Sequence, residues 1–108
     1  MRYEVSLTKD AERDLEEIYL YIAEHDSPAS ADYVLEQLVK ATEALRTSLD
    51  RGSYVNELRP LGISEYRQIL FRPYRLFYRA HAKQVIAYVV VDGRRDMGSL
   101  LTRRLLGA

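Results

Sequence analysis

Residues 66–91 read YRQILFRPYRLFYRAHAKQVIAYVVV, and this stretch decides the fold because it contains three strand patterns in series. Tyr66–Phe71 and Tyr74–Ala80 are predicted strands that flank a turn at Arg72-Pro73. In the second of them, side chains alternate with a period of two, so Arg75, Phe77 and Arg79 share one face. Val85–Val91 follows a turn and is apolar throughout, which predicts a central strand covered on both faces.

Two helices are predicted before this stretch. Thr8 is a candidate N-cap, and apolar residues then recur at spacings of three and four over residues 9–25. Ser27-Pro28 is a typical helix start, and a second apolar stripe runs to about Asp50, with Gly52 as the stop. The short connection between the helices predicts an antiparallel hairpin.

The remaining segments complete the order of elements. Residues 2–7 alternate as an opening strand, and residues 53–65 read as a connection with room for a short strand around residues 55–58. Asp92-Gly93 is a predicted turn, and residues 94–106 have the leucine spacing of a short C-terminal helix. The predicted order is β-α-α-β-β-β plus that helix. We therefore expect one α+β domain, residues 1–108, with a helical hairpin packed on a small antiparallel sheet.

Composition excludes several classes of site. The chain has no cysteine, which leaves no disulfide, thiolate zinc site or cysteine nucleophile, and favours the cytoplasm. No apolar run reaches the ~18 residues of a membrane span. Two histidines, His25 and His81, are too few for a typical His-rich metal site, and no phosphate-binding glycine motif occurs. We expect neither a cofactor nor a metal.

The net charge of zero hides an asymmetry between the two halves. Residues 1–50 carry a net charge of −7 and residues 51–108 carry +7, with ten of the eleven later cations being arginine. Arginine presents a fork of donors that suits carboxylate and phosphate. The second half thus looks suited to a nucleic acid or an acidic protein surface, unless the acidic half simply neutralises it.

Arginines and tyrosines are interleaved along the predicted strands. If the strands pair in sequence order, six arginines would approach one end and one face of the sheet. Four belong to the first two strands and their turn, and two follow the last strand: Arg67, Arg72, Arg75, Arg79, Arg94 and Arg95. The interleaved rings are Tyr66, Tyr74, Tyr78 and Tyr88. This composition is typical of nucleic-acid surfaces. Alternatively, the tyrosine rings lie at the edge of the hydrophobic core, and the arginines are ordinary surface residues with no binding role.

Several short motifs, in order, resemble the RelE/ParE superfamily of type II toxins. They are NELRPLG at 56–62, EYR at 65–67, PYRLFYR at 73–79, the apolar run 85–91 and GRRD at 93–96, together with the first predicted helix. The superfamily contains two activities. RelE-like members cleave messenger RNA in the ribosomal A site, whereas ParE-like members inhibit DNA gyrase without such chemistry.

The resemblance favours the ParE-like activity. Arg75 and Arg95 match two arginines of the RelE pattern, and Arg67 stands where RelE-like toxins place a lysine. The second lysine has no counterpart, and Leu101 stands near the position of the C-terminal tyrosine. The chain is therefore interpreted as a gyrase inhibitor that is not an enzyme. The alternatives are a ribosome-dependent mRNA endonuclease using Arg67, Arg75, Arg95 and Tyr88 (with Tyr78 or His81 as further proton carriers), or a non-toxic antitoxin-binding homologue.

The resemblance also implies partners. A cognate antitoxin would form a hetero-oligomer with the chain and lie in the groove between the helical hairpin and the sheet, its acidic residues meeting the arginines. DNA would be contacted only through the antitoxin or gyrase, and the membrane not at all. The predicted antitoxin- or target-binding residues are Arg67, Arg72, Arg75, Arg79, Arg94, Arg95, Leu101 and Leu105.

Overall fold

A computed structural model describes residues 2–107. The strands and helices are β1 (Glu4–Leu7), α1 (Lys9–His25), α2 (Pro28–Glu43), β2 (Ser53–Tyr54), β3 (Tyr66–Phe71), β4 (Tyr74–His81), β5 (Gln84–Asp92) and α3 (Met97–Leu106). Three 3₁₀ helices lie between α2 and β3, at Ala44–Arg46, Leu49–Arg51 and Asn56–Leu61. The predicted α+β class, with a helical hairpin on a sheet, is confirmed. Within residues 2–107, no helix is both long and apolar enough to cross a membrane.

Both predicted helix starts are capped as the sequence indicates. The Thr8 hydroxyl accepts a hydrogen bond from the Ala11 N–H at 3.1 Å. The Ser27 hydroxyl accepts one from the Ser30 N–H at 3.0 Å, and Pro28 occupies the first helical position. Each cap satisfies an N–H that has no partner inside the helix, and this fixes where α1 and α2 begin.

The sheet has five strands in the order β1-β5-β4-β3-β2. Consecutive strands from β2 to β5 pair antiparallel, as predicted, but β1 pairs with β5 in parallel. The sheet is therefore mixed rather than wholly antiparallel. The alternation of residues 2–7 identifies a strand but carries no information about the direction of its partner, which explains the difference.

Both faces of the sheet are covered. The helical hairpin packs on one face, where Leu38 and Leu45 meet Leu76, Tyr78 and Val90. On the other face, α3 and the third 3₁₀ helix place Leu58, Leu100 and Leu101 against Phe77 and Val89. We call these the hairpin face and the α3 face. The prediction that residues 85–91 form a central strand buried on both sides is confirmed.

Three predicted boundaries are wrong. Helix α2 ends at Glu43 rather than near Asp50, because 3₁₀ turns continue to hold Leu45 and Leu49 against the core at similar spacing. Residues 55–58 form no strand; they belong largely to a 3₁₀ helix, and the short strand is Ser53–Tyr54. Helix α3 begins at Met97, three residues later than predicted, after the Arg94–Asp96 turn.

Candidate functional site

The predicted arginine cluster divides between the two faces of the sheet. Arg67 on β3 is paired with Tyr78 on β4, so its side chain lies on the hairpin face. Arg75 and Arg79 lie on the α3 face, with Phe77 between them. The expectation that these arginines share one face is therefore wrong for Arg67. Strand register, which places residue 67 opposite residue 78, decides the face, and the spacing of the arginines does not reveal it.

Every nitrogen of the Arg75 guanidinium is held by another side chain. Nη1 and Nη2 donate to the two Glu57 carboxylate oxygens at 2.8 and 2.9 Å, and Nε donates to the Gln68 side-chain oxygen at 2.8 Å. The group lies 4.9 Å from the centre of the Phe77 ring. Arg75 and Glu57 are 14% and 31% exposed. The hydrogen bonds from Arg75 hold the pKa of the Glu57 carboxyl below its usual value.

Glu57 and Gln68 are parts of the site that sequence reasoning missed. Glu57 lies in the third 3₁₀ helix, 18 residues before Arg75, and Gln68 lies on β3. Gln68 also donates to the Tyr54 carbonyl at 3.4 Å, which links Arg75 to the edge strand β2. The strand register and the 3₁₀ helix bring Glu57 and Gln68 to Arg75. Their spacing along the sequence does not predict this contact.

Arg67 and Arg79 on the strands, and Arg94 in the turn after β5, also have internal partners. Arg67 donates to the Gly52 carbonyl at 3.1 Å, and its guanidinium lies 4.5 Å from the centre of the Tyr54 ring. Arg79 lies 5.9 Å from the Tyr66 ring centre. Arg94 donates from Nε to Asp92 at 2.9 Å, and this contact lowers the pKa of the Asp92 carboxyl. Each of these three guanidinium groups therefore contacts a carbonyl, a carboxylate or an aromatic ring of the same chain.

Two of the three candidate proton carriers, Tyr78 and His81, lie away from Arg75, whereas Tyr88 lies half-buried on the same face of the sheet. Tyr78 is fully buried and donates to the Leu49 carbonyl at 2.7 Å, and burial raises its pKa. His81 is exposed at the far end of β4, about 20 Å along the strand from Arg75. Tyr88 sits where the β4–β5 register shifts, and its ring packs edge-on against Tyr66 at 5.7 Å.

Arg95 lines a cleft between α1 and the end of β5, which we call the sheet cleft. Its volume is about 370 Å³. The lining combines apolar and aromatic side chains with charged ones: Asp14, Glu17, Ile18, Tyr21, Tyr74, Val90, Val91, Asp92, Arg94 and Arg95. Among residues 2–107, the exposed Arg95 side chain has no ion-pair or hydrogen-bonding partner. The cleft thus combines apolar and aromatic side chains with the Arg95 guanidinium and with three carboxylates, of which Asp92 and Asp14 are paired with Arg94 and Arg104.

Helix α3 is tied to α1 by an ion pair that the sequence analysis also missed. Arg104 donates to both Asp14 oxygens at 3.0 and 2.8 Å and to the Tyr88 carbonyl at 3.1 Å. Asp14 accepts a further hydrogen bond from the Val90 N–H at 3.0 Å. One signal was available: Asp14 lies on the apolar stripe of α1, three residues after Ala11.

The two predicted leucine contacts on α3 differ in accessibility. Leu101, a predicted partner contact, is fully buried among the core residues of the α3 face of the free chain. Leu105 is partly buried and packs against the same core. The exposed predicted residues are Arg72, at the β3–β4 turn, with Arg94 and Arg95 after β5.

Comparison with known proteins identifies the family. The model of the ParE toxin of the type II toxin–antitoxin system parDE matches residues 5–97, most of the chain. The chain belongs to the ParE toxin family. The predicted superfamily is thereby confirmed, as is its description as the toxin of a type II toxin–antitoxin system. Among curated protein sequences, none matches at a significant level.

Two solved structures share the fold of this ParE-family chain. A chain of the chromosomal ParDE toxin–antitoxin system from P. aeruginosa superposes with a TM-score of 0.69 at 19% identity, covering 84% of this chain and 96% of that one. A chain of the toxin–antitoxin complex RelBE2 from Mycobacterium tuberculosis superposes with a TM-score of 0.63 at 22% identity, covering 85% and 99%. At these identities the likeness concerns the fold alone.

The two arginines of this ParE-family toxin that match the RelE pattern differ in their surroundings. Arg75 is enclosed by its own partners, while Arg95 faces an open cleft beside α1. Among residues 2–107, no group of three or more His, Asp or Glu side chains is placed to hold a metal ion.

Proposed function

We propose that this chain is a ParE-like toxin that inhibits DNA gyrase through protein–protein contact and is neutralised by a cognate antitoxin. The observation that carries the proposal is the enclosure of Arg75 by Glu57 and Gln68. A guanidinium whose three nitrogens are bound within its own fold acts as a structural group. The arginine that the RelE pattern would use on RNA is thus occupied here.

Cleavage of RNA would need more than Arg75 can supply. In-line attack by a 2′-hydroxyl needs a base for the hydroxyl, stabilisation of the charged phosphorane and an acid for the leaving oxygen. Arginine has a pKa above ~12 and rarely moves protons. Tyr78 is buried, His81 lies at the other end of β4, and Arg67 lies on the opposite face of the sheet. Tyr88 shares the face of Arg75 but packs its ring against Tyr66. The dispersal of the other three groups supports a binding protein over a ribonuclease.

The proposed antitoxin contact is the sheet cleft. Both solved neighbours come from toxin–antitoxin systems, which supports an antitoxin partner for this chain as well. The apolar side chains of the cleft, together with the exposed Arg95 that lines it, suit an extended segment that alternates apolar and acidic residues. Arg94 lines the same cleft, and the exposed Arg72 and half-buried Leu105 are further proposed contacts outside its lining. In this proposal DNA meets the toxin only through the antitoxin or gyrase.

Two parallel reactions with the purified chain test the target. One is supercoiling of relaxed plasmid by gyrase, followed by protein digestion to reveal trapped breaks. The other is a reconstituted translation reaction scored for cleavage of the message. We expect linear or unsupercoiled plasmid together with intact message. Cut message with normal supercoiling would overturn the proposal in favour of a ribonuclease, and no effect in either reaction would favour a non-toxic homologue.

A pair of charge reversals tests the antitoxin site. Arg95→Glu should weaken antitoxin binding at least tenfold, because it places a carboxylate at the mouth of the sheet cleft. Lys83→Glu changes the net charge equally at the exposed β4–β5 turn, at the opposite end of the sheet, and should leave affinity within about twofold. Equal losses for the two variants would show that net charge, and not this cleft, governs binding.

A further inference from the structure

The edge strand β2 covers only part of the neighbouring strand β3. It is two residues long and pairs with residues 67–68. Strand β3 continues to residue 71, so no strand among residues 2–107 lies beside residues 69–71 on that side. We call residues 69–71 the open edge. The same register would place Arg51 opposite Leu70, but Arg51 belongs to a 3₁₀ helix, and its N–H donates to the Ser48 carbonyl at 3.1 Å.

The backbone of Leu70 faces this open edge. The Gln68 carbonyl oxygen lies 2.7 Å from the point where a Cβ on Gly52 would stand, so the Gln68 backbone faces the side of β2. Backbone groups of alternate residues in an antiparallel strand face the same neighbour, so those of Leu70 face the side where β2 has already ended. An unpaired N–H and C=O at a sheet edge form a template for another strand.

Apolar side chains lie on both faces of the sheet at the open edge. Leu70 is 55% exposed on the α3 face, opposite Arg75 in the register. On the hairpin face, the Phe71 ring centre lies 6.3 Å from that of Tyr33, which is 58% exposed. A depression of about 290 Å³ adjoins the edge and is lined by Ala41, Arg51, Ser53, Gln68, Ile69 and Leu70. An added strand would direct its alternate side chains to these two apolar surfaces.

The charges at the open edge favour an acidic partner. Of the six residues that line the depression, Arg51 alone is charged. Arg72 follows the edge at the β3–β4 turn, and both arginines are exposed, with no ion-pair partner in the described part of the chain. Nearby carboxylates do not line the depression, since Glu57 is bound to Arg75 and Asp50 lines a different one. An acidic extended segment would complement this edge, whereas a second copy would bring the same arginines together.

The open edge is separate from the sheet cleft but close to it. The linings of the two depressions share no residue. Only Arg72 and Pro73 lie between Phe71 at the edge and Tyr74 in the cleft, and adjacent strands are about 5 Å apart. A large partner at the edge and an antitoxin chain in the cleft would therefore obstruct each other, although they contact different residues.

We propose that the open edge is the gyrase-binding surface of this toxin, and that a short, extended, acidic segment of gyrase pairs with Leu70. This inference rests on the gyrase inhibition proposed above and adds the surface that holds the target. The segment would lie beside residues 69–71 and leave the sheet where β2 begins, with its acidic side chains near Arg51 and Arg72. An antitoxin in the sheet cleft would neutralise the toxin by obstructing this contact.

Affinities for purified gyrase and for the purified antitoxin, measured side by side, test this surface. Leu70→Asp should weaken gyrase binding at least tenfold, because it replaces the central apolar contact with a charge that repels an acidic segment. Antitoxin affinity should stay within about twofold, and the thermal midpoint of the free toxin should not change. Leu61→Asp is the matched control, since Leu61 is 57% exposed in the third 3₁₀ helix, and should leave gyrase binding within about twofold.

A charge reversal beside the edge gives a second variant that leaves β3 itself unchanged. Arg51→Glu should also weaken gyrase binding at least tenfold, whereas Lys83→Glu, at the opposite end of the sheet, should stay within about twofold. Gyrase binding that neither edge variant alters would overturn the open-edge assignment while leaving gyrase as the target. Loss of antitoxin affinity alone would assign the edge to the antitoxin, and a dimer of the free toxin that Leu70→Asp dissolves would assign it to a second copy.

Amide exchange with a peptide tests the edge even if gyrase does not bind. The probe is a short peptide that alternates valine and glutamate, compared with the same peptide carrying lysine. In the free toxin the Leu70 amide should exchange with deuterium at least tenfold faster than those of Ile69 and Phe71, which face β4. The glutamate peptide alone should protect it. Equal protection by both peptides, or none, would refute the strand-pairing site. Protection of Leu70 without any binding of gyrase by the wild type would instead show that the proposed target is wrong.

Discussion

At the residue scale, the Glu57 carboxylate holds the Arg75 guanidinium in place through two hydrogen bonds. Protonation of Glu57 should weaken this contact. Because the folded-state pKa of Glu57 lies below its ordinary value of 4.5, its ionised form stabilises the fold above that pH. This contribution is lost as pH falls through the folded-state pKa. Glu57→Gln should cost about 1–2 kcal/mol of unfolding free energy at pH 7, since one partner of a charge-assisted contact is removed.

Urea unfolding at pH 7 and at several lower values down to pH 3 measures this effect. The difference between wild type and Glu57→Gln should shrink as the pH falls. Glu65→Gln, at an exposed position without an ion-pair partner among residues 2–107, is the control and should change stability by less than about 0.5 kcal/mol. A difference that stays constant across the pH range would contradict the role assigned to the carboxylate.

Gly52 is required because the Tyr78 side chain and the Gln68 backbone approach it closely, and not because it ends a helix. A Cβ there would collide with the Tyr78 hydroxyl and lie 2.7 Å from the Gln68 carbonyl oxygen. Tyr78 is fully buried and cannot swing aside, so Gly52→Ala should destabilise the fold by about 2–3 kcal/mol. Gly98→Ala in α3 meets nothing closer than 3.6 Å and should stabilise by about 0.5–1 kcal/mol. Thermal unfolding of both variants checks the opposite signs.

At the element scale, the pairing of Asp14 with Arg104 anchors α3 to the rest of the fold. Both side chains are mostly buried, at 11% and 19% exposure. Asp14→Asn keeps the shape but removes the charge that Arg104 needs, so the last turns of α3 should open more often. Amides of residues 101–106 should exchange with deuterium at least tenfold faster, while those of β4 and β5 change far less. Asp10→Asn, at an exposed carboxylate on the same helix, should leave α3 unchanged, and equal effects of the two variants would reject the anchor.

Helix starts and central strands could be predicted from the sequence because their signals are local. The Thr8 and Ser27 caps lie within three residues of the N–H groups they bind. The parallel pairing of β1, by contrast, joins residues 4–7 to residues 84–87. The Asp14–Arg104 pair spans 90 positions. Such contacts depend on register and topology, which apolar periodicity does not encode.

At the scale of the whole molecule, the charge asymmetry seen in the sequence becomes a separation of surfaces. The acidic half forms the helical hairpin, and the basic half forms most of the sheet and α3. The sequence predicted an arginine-rich half but not which arginines are free. The family resemblance pointed to Arg75 and Arg95 alike, yet only the fold separates the enclosed guanidinium from the exposed one.

This separation predicts that a substitution of the enclosed Arg75 affects stability more than activity. Arg75→Lys keeps the charge but loses the fork that holds Glu57, so it should destabilise the toxin. Measured well below the thermal midpoint of the variant, the proposed inhibition of gyrase should remain within about threefold of wild type, because a folded binding protein needs no chemistry from Arg75. A ribonuclease would instead lose roughly 10²-fold or more in message cleavage even when fully folded, since the charge on the phosphorane would be less well stabilised. Circular dichroism on the same samples measures the folded fraction. A folded Arg75→Lys protein that has lost all activity would therefore show that Arg75 contacts the target directly and would contradict its structural role.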